Sequence, residues 1–234
     1  MSGLIAKDLF TIKKSYIQNL FWAVTINLFC MMLAVGSVYG NFKGELNFST
    51  ILYVSCFTPF FVGTASFVSF FYNRESGFIN YEKTLPVTDE KKILSKYTVA
   101  GLCLFSSVFY IIIPILCCVL TNQKIDKNFI FVFIIAMELT AIFICIMLPS
   151  IYKADGMKTV RMVVGLAIMF LGMGTAFLYS AVLSFAEMTD KVINKITNNI
   201  EIFTLILLCI CLVVFAISYK LSVKVYKRKR GVTK

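Results

Sequence analysis

Histidine is absent from all 234 residues. That excludes imidazole acid–base catalysis, Ser-His-Asp triads and imidazole metal sites in one step. Charge is scarce too, at 15% of residues against roughly 25% in soluble domains. No G-x-x-x-x-G-K-[ST] run occurs, so the chain has no such loop to cradle nucleotide phosphates. Long polar stretches are missing as well. The longest, Asn73 to Lys96, is too short for a soluble domain.

Apolar residues take up the difference. They make up 59% of the chain, against roughly 45–50% in soluble proteins, and the mean hydropathy is +0.84. A soluble fold of this size lacks the interior to hide so much apolar surface. The chain therefore reads as an all-α integral membrane protein with a single transmembrane domain, 1–234. A spanning helix needs about 20 apolar residues, and six runs qualify: 20–39, 48–71, 97–120, 129–151, 162–185 and 201–219. They are continuously apolar and about twice the length of a barrel strand, so helices fit and strands do not.

Basic residues set the orientation. Eighteen lysines and arginines lie before the first span, in the second and fourth linkers and in the basic tail 220–234, against five on the other side. That bias places both termini in the cytoplasm. It also accounts for the net charge of +11 without a nucleic-acid partner. Lys227-Arg228-Lys229-Arg230 can hold anionic headgroups of the lipid bilayer. The first span reads as retained, with Ala34-Val35-Gly36 only a loose match to a cleavage site. All eight cysteines (30, 56, 103, 117, 118, 145, 209 and 211) fall inside spans, where cysteine behaves as a small hydrophobe. Free thiols are expected, with neither disulfide nor metal.

Ahead of the first span, Ile5, Leu9, Ile12 and Tyr16 share one helical face, with Lys7, Thr11, Lys14 and Gln18 near the opposite one. This predicts an interfacial amphipathic helix over 1–19, lysines toward the headgroups; a plain extension of the first span is the other reading. The second linker, 73–96, carries two helix signals. Phe78, Tyr81, Glu82 and Leu85 share one side of a short helix that Pro86 should end. Thr88 then stands as an N-cap, with Asp89 and Glu90 in the first turn of a helix entering the third span. An apolar, aromatic face held outside the bilayer points to a docking surface.

The run Tyr81-Glu82-Lys83-Thr84-Leu85-Pro86-Val87-Thr88, followed by basic residues and Ser95-Lys96-Tyr97, resembles the signature of ABC-2-type transporter permeases. Among these it is most similar to the small six-span subunits that export lantibiotics, bacitracin or phenol-soluble modulins from bacteria. Asp89 stands where the family pattern has an arginine. The resemblance implies a permease half in the bacterial cell membrane. A second permease copy would join it, and two ABC ATPase subunits would bind ATP and magnesium, with no cofactor held by this chain. Phe78, Tyr81, Glu82, Lys83, Leu85 and Pro86 would form the coupling helix seated in the ATPase.

Within the spans, Glu138 is the one deeply placed ionisable residue, at a cost of about 2.5–3.5 kcal/mol on insertion scales. It must be neutral, bonded to a polar partner such as Asn27, or facing a wet cavity. Glu138 and Asn27 are thus candidates for the substrate path, although an interhelix hydrogen bond alone would also explain Glu138. Gly172, Ala176, Ser180 and Ser184 form a small-residue stripe on the fifth span, and Gly36 and Gly40 a shorter one ending the first. The resemblance implies a dimer interface there; packing within one chain is the alternative. Pro59, Pro114 and Pro149 should kink their spans. Three other functions compete with an ATP-driven peptide exporter. They are a proton- or ion-coupled carrier using Glu138, a non-transporting immunity or sensor subunit, and an intramembrane enzyme, the last disfavoured by the lack of ligands.

Overall fold

The computed structural model describes residues 2–39, 58–67, 73, 78, 84–122, 127–153 and 199–232. All regular structure among them is helical, with no strand. The elements are α1 (Ser2–Tyr39), α2 (Thr58–Thr64), α3 (Asp89–Ser106), a 3₁₀ turn (Ser107–Ile111), α4 (Ile112–Leu120), α5 (Lys127–Lys153) and α6 (Ile200–Val232). Three described stretches are long and apolar enough to cross a membrane: Asp89–Leu120, Phe129–Lys153 and Ile200–Arg228. The expected fifth span, 162–185, and most of the second lie outside the described residues.

Proline explains the interruptions. Pro114 has no N–H for the carbonyl four residues back and crowds that turn. The third apolar run tightens into its 3₁₀ turn just before Pro114 and resumes as α4. Asn122, with φ 51°, closes α4 in the left-handed conformation that asparagine tolerates. Pro149 lies inside α5 and frees the Cys145 carbonyl in the same way. That carbonyl is not left bare: the Ser218 hydroxyl of α6 donates to it.

Contacts between elements fix their directions. α1 runs alongside α3 and α4 in the same sense: Asp8 meets Lys96, Tyr16 meets Ser106, and Met31 and Val35 pack against Cys117 and Cys118. α5 and α6 are likewise parallel to each other, with Cys145 level with Ser218 and Tyr152 with Tyr226. α3 opposes α6, since Glu90 meets Lys227 while Tyr97 meets Ser218. The start of α1, the start of α3 and the far end of α6 therefore gather at one end of the bundle.

One expectation changes. The segment 1–19 and the first span are one unbroken helix, α1. The reason is that Ile5, Ile12 and Tyr16 cover Val99 and Cys103, so protein takes up most of the face expected to lie on lipid. Leu9 alone of that face stays 37% exposed. The basic tail also continues α6 as helix to Val232.

The main core lies where α3, α5 and α6 meet: Phe67, Ile93, Tyr97, Ile144, Leu148 and Ile151 are buried together. A polar chain runs through it. Tyr97 Oη is 2.5 Å from Ser218 Oγ and 2.9 Å from Ser222 Oγ. Each hydroxyl has one proton, and Ser218 gives its own to Cys145. The chain is satisfied when Ser222 donates to Tyr97 and Tyr97 donates to Ser218. Gly63 of α2 makes another close approach: a Cβ there would meet Thr140 Cγ2 at 3.0 Å and Ile144 Cδ1 at 3.3 Å.

Tyr97→Phe keeps the ring and removes the middle proton. It should cost about 1–2 kcal/mol, seen as a lower Tm of the full chain in detergent with unchanged helical content.

Candidate functional site

Among the expected coupling residues, Phe78, Leu85 and Pro86 are described, while Tyr81, Glu82 and Lys83 lie outside the described residues. Phe78 and Thr84 are helical. The backbone bends through Leu85, Pro86 and Val87, with the Val87 N–H donating to the Leu85 carbonyl at 2.7 Å. α3 starts afresh at Asp89, with Asp89 and Glu90 in its first turn. The break at 85–87 and the fresh helix at Asp89 are present, while most of the short helix expected before Pro86 lies outside the described residues. Thr88 has the extended backbone of an N-cap (φ −61°, ψ 144°), but its hydroxyl makes no capping bond. Its carbonyl accepts from Lys92 instead. Leu85 is half-buried and Pro86 exposed.

Behind the linker lies a buried ionic cluster built on Asp8, a residue that local spacing did not single out. Asp8 is 1% exposed and Lys96 4%. The Lys96 ammonium donates to Asp8 Oδ1 at 2.6 Å, and Lys7 Nζ lies 3.2 Å from the same oxygen. Asn73 joins both: its Nδ2 donates to Asp8 Oδ1 at 3.4 Å, and its Oδ1 accepts from Lys7 at 2.8 Å. The Lys7 ammonium also stands 3.5 Å from the centre of the Phe78 ring, a cation–π contact. Lys7, expected to face headgroups, is instead turned onto the linker. One side chain pair of α1 thus grips the linker at two points and α3 at a third. Removing one partner from a buried ion pair costs about 3–5 kcal/mol, because the other charge is left uncompensated.

Near the same end, Lys227 of α6 donates to Glu90 of α3 at 2.9 Å. Both are more than half exposed, so this bridge contributes little.

The apolar candidates are placed differently. Glu138 lies buried on α5. Its Oε2 has no hydrogen-bond partner among the described residues. Asn27, offered from the sequence as a partner, donates to Thr58 Oγ1 at 2.8 Å and to the Ala23 carbonyl at 2.7 Å. Among the described residues no hydrogen bond joins Asn27 to Glu138; Asn27 ties α1 to α2 instead. Gly36 is helical within α1, while Gly40, Gly172, Ala176, Ser180 and Ser184 lie outside the described residues. Cys103, Cys117, Cys118, Cys145, Cys209 and Cys211 are free thiols.

Long parallel and antiparallel apolar helices, with the charged side chains gathered where a linker is held, define a polytopic helical membrane protein. The chain matches the family model described as ABC-2 family transporter protein over residues 3–227, and it belongs to that family. It is a membrane permease component of an ABC transporter, a class that normally works with an ATPase subunit. No curated protein and no solved structure matches it.

Thr88→Ala should leave stability within about 0.5 kcal/mol of the parent by thermal unfolding in detergent, against about 1 kcal/mol for loss of a working cap.

Proposed function

We propose that this chain is the permease half of an ATP-driven exporter moving amphipathic or antimicrobial peptides out of a bacterial cell. Two copies pair with two soluble ATPase subunits, and the bundle end that gathers both described helix termini faces the cytoplasm. The basic residues concentrated on that side support this orientation. The observation that carries the reading is the linker ahead of α3, broken at Leu85-Pro86 and held against α1 through Asn73 and Phe78. A segment held in this way can receive an ATPase surface on one side and pass its movement to the helices on the other. ATP closure then favours one helix arrangement, and transport follows from its different affinity for the peptide. A peptide substrate rests on the resemblance of 81–97 to small peptide-exporter permeases. Small-residue stripes at Gly36–Gly40 and Gly172–Ser184 would serve the pairing of two copies.

A second reading, a proton- or ion-coupled carrier, is favoured by one observation: the buried Glu138 carboxyl with an unpartnered oxygen among the described residues. In the exporter the same group would contact a cationic peptide.

Affinity purification of the full chain from its native cell in mild detergent, with mass spectrometry, should recover a roughly equimolar soluble protein with a Walker A motif. Recovery of the chain alone overturns the ATP-driven reading. Leu85→Asp should insert normally yet recover at least about tenfold less of that ATPase, as expected for loss of an interface hot spot. Undiminished recovery removes Leu85 from the docking surface. Glu138→Gln should lower export of a cationic peptide about tenfold, equivalent to about 1.4 kcal/mol, with ATPase recovery unchanged. Unchanged export and substrate range make Glu138 structural only.

A further inference from the structure

The cluster around Asp8 does more than a helix contact requires. Ile12 with Val99 and Cys103, flanked by Ile5 and Tyr16, already fastens α1 to α3 by apolar burial. A second fastening exists in the Tyr16 hydroxyl, which donates to Ser106 at 2.6 Å. A buried ion pair added to such a contact contributes little net stability, whereas it fixes which groups must move together. Here the carboxylate oxygen of one residue is shared by Lys96 of α3, Lys7 of α1 and Asn73 of the linker, partners up to 88 residues away in the chain. Lys7 closes the arrangement by holding Asn73 Oδ1 and covering Phe78. Neither the linker nor α3 can shift against α1 without breaking a bond to this one side chain or to its neighbour.

We infer that Asp8 is a positioning residue, a buried ionic latch that makes α1 follow the linker and α3 as a unit. The linker carries the movement, and Asp8 with Lys7 decides that the first helix receives it. The source of that movement rests on the ATP-driven reading; the latch itself does not.

Hydrogen–deuterium exchange of the full chain in lipid nanodiscs tests both parts separately. In the chain alone, Asp8→Asn should raise amide exchange over the linker, 73–86, at least tenfold; an unchanged rate overturns the latch whether or not an ATPase is ever found. In the complex with co-purified ATPase, ADP and vanadate-trapped ATP should give different exchange in the linker and in residues 2–16 of α1. Asp8→Asn should keep the linker difference and the recovered ATPase while the α1 difference falls at least fivefold. Asp8→Glu, which keeps the carboxylate, should restore it. Tyr16→Phe, which loosens α1 from α3 without touching the linker, should leave it intact. Loss in Tyr16→Phe equal to that in Asp8→Asn, or an undiminished α1 response in Asp8→Asn, refutes the assignment. Should Asp8→Asn fail to fold, Asn73→Ala removes the linker's bonds to Asp8 and Lys7 while sparing the Asp8–Lys96 pair and the Lys7–Phe78 contact, and it must lower the α1 difference; an undiminished difference refutes the assignment. Absence of any ATPase with the parent chain is the separate failure of the ATP-driven reading.

Discussion

A polar group carried among apolar helices has no water to fall back on and must find a partner inside the protein. That constraint organises the described bundle. Pro149 deprives the Cys145 carbonyl of its helical donor; Ser218 reaches across from α6 to supply one; Tyr97 and Ser222 complete the chain from α3 and α6. One turn of α3 thereby faces two ways. Tyr97 binds α6 through hydroxyls and reaches α5 through Ser218, while its neighbour Lys96 binds α1 through a charge. Two adjacent residues hold three long helices in register around the point where the third apolar run begins.

Apolar packing supplies the strength around these ties and polar contacts supply the uniqueness. Side chains such as Phe67, Ile93 and Leu148 pack closely, and the hydroxyl chain and the Asp8 cluster add directional contacts to them. Other apolar residues remain outside that arrangement: Phe21, Phe29 and Met32 on α1 and Leu205 and Leu212 on α6 are all more than half exposed, as apolar side chains can be in a bilayer. Charged groups, Lys7, Asp8, Lys96, Glu90 and Lys227, gather at one bundle end, with Asp8 and Lys96 buried and Glu90 and Lys227 exposed.

Much of this was legible before any coordinates. The apolar runs fixed the helices α3 to α6, because length and composition alone decide what can cross a bilayer. The break at Pro86 and the fresh start at Asp89 followed from proline's constraint on the preceding residue and from acidic residues in a first turn. Other features carried no local signal. Asp8 sits beside Lys7 on an amphipathic stretch and looks like an ordinary surface charge until Lys96, 88 residues on, is brought against it. Asn27 had a plausible acidic partner by depth, yet depth does not say which helices are neighbours, and Thr58 was nearer. Periodicity over 1–19 correctly found an apolar face but could not tell lipid from the protein surface that mostly covers it. Thr88 has the residue type and backbone of a cap without its bond, a difference held in one side-chain rotation.

The span between Asp8 and Lys96 has a consequence for biosynthesis. At about 5–20 residues per second, a ribosome takes roughly 5–20 seconds to make the intervening chain. Throughout that interval Lys96 does not exist, and of the two lysines that meet Asp8 in the folded chain only Lys7 has been made. The first helix must therefore be threaded into the bilayer with its ionic site half-built. It acquires its final partner only when the start of the third helix reaches the same end of the bundle, so the pair forms only where the first and third segments run in the same direction.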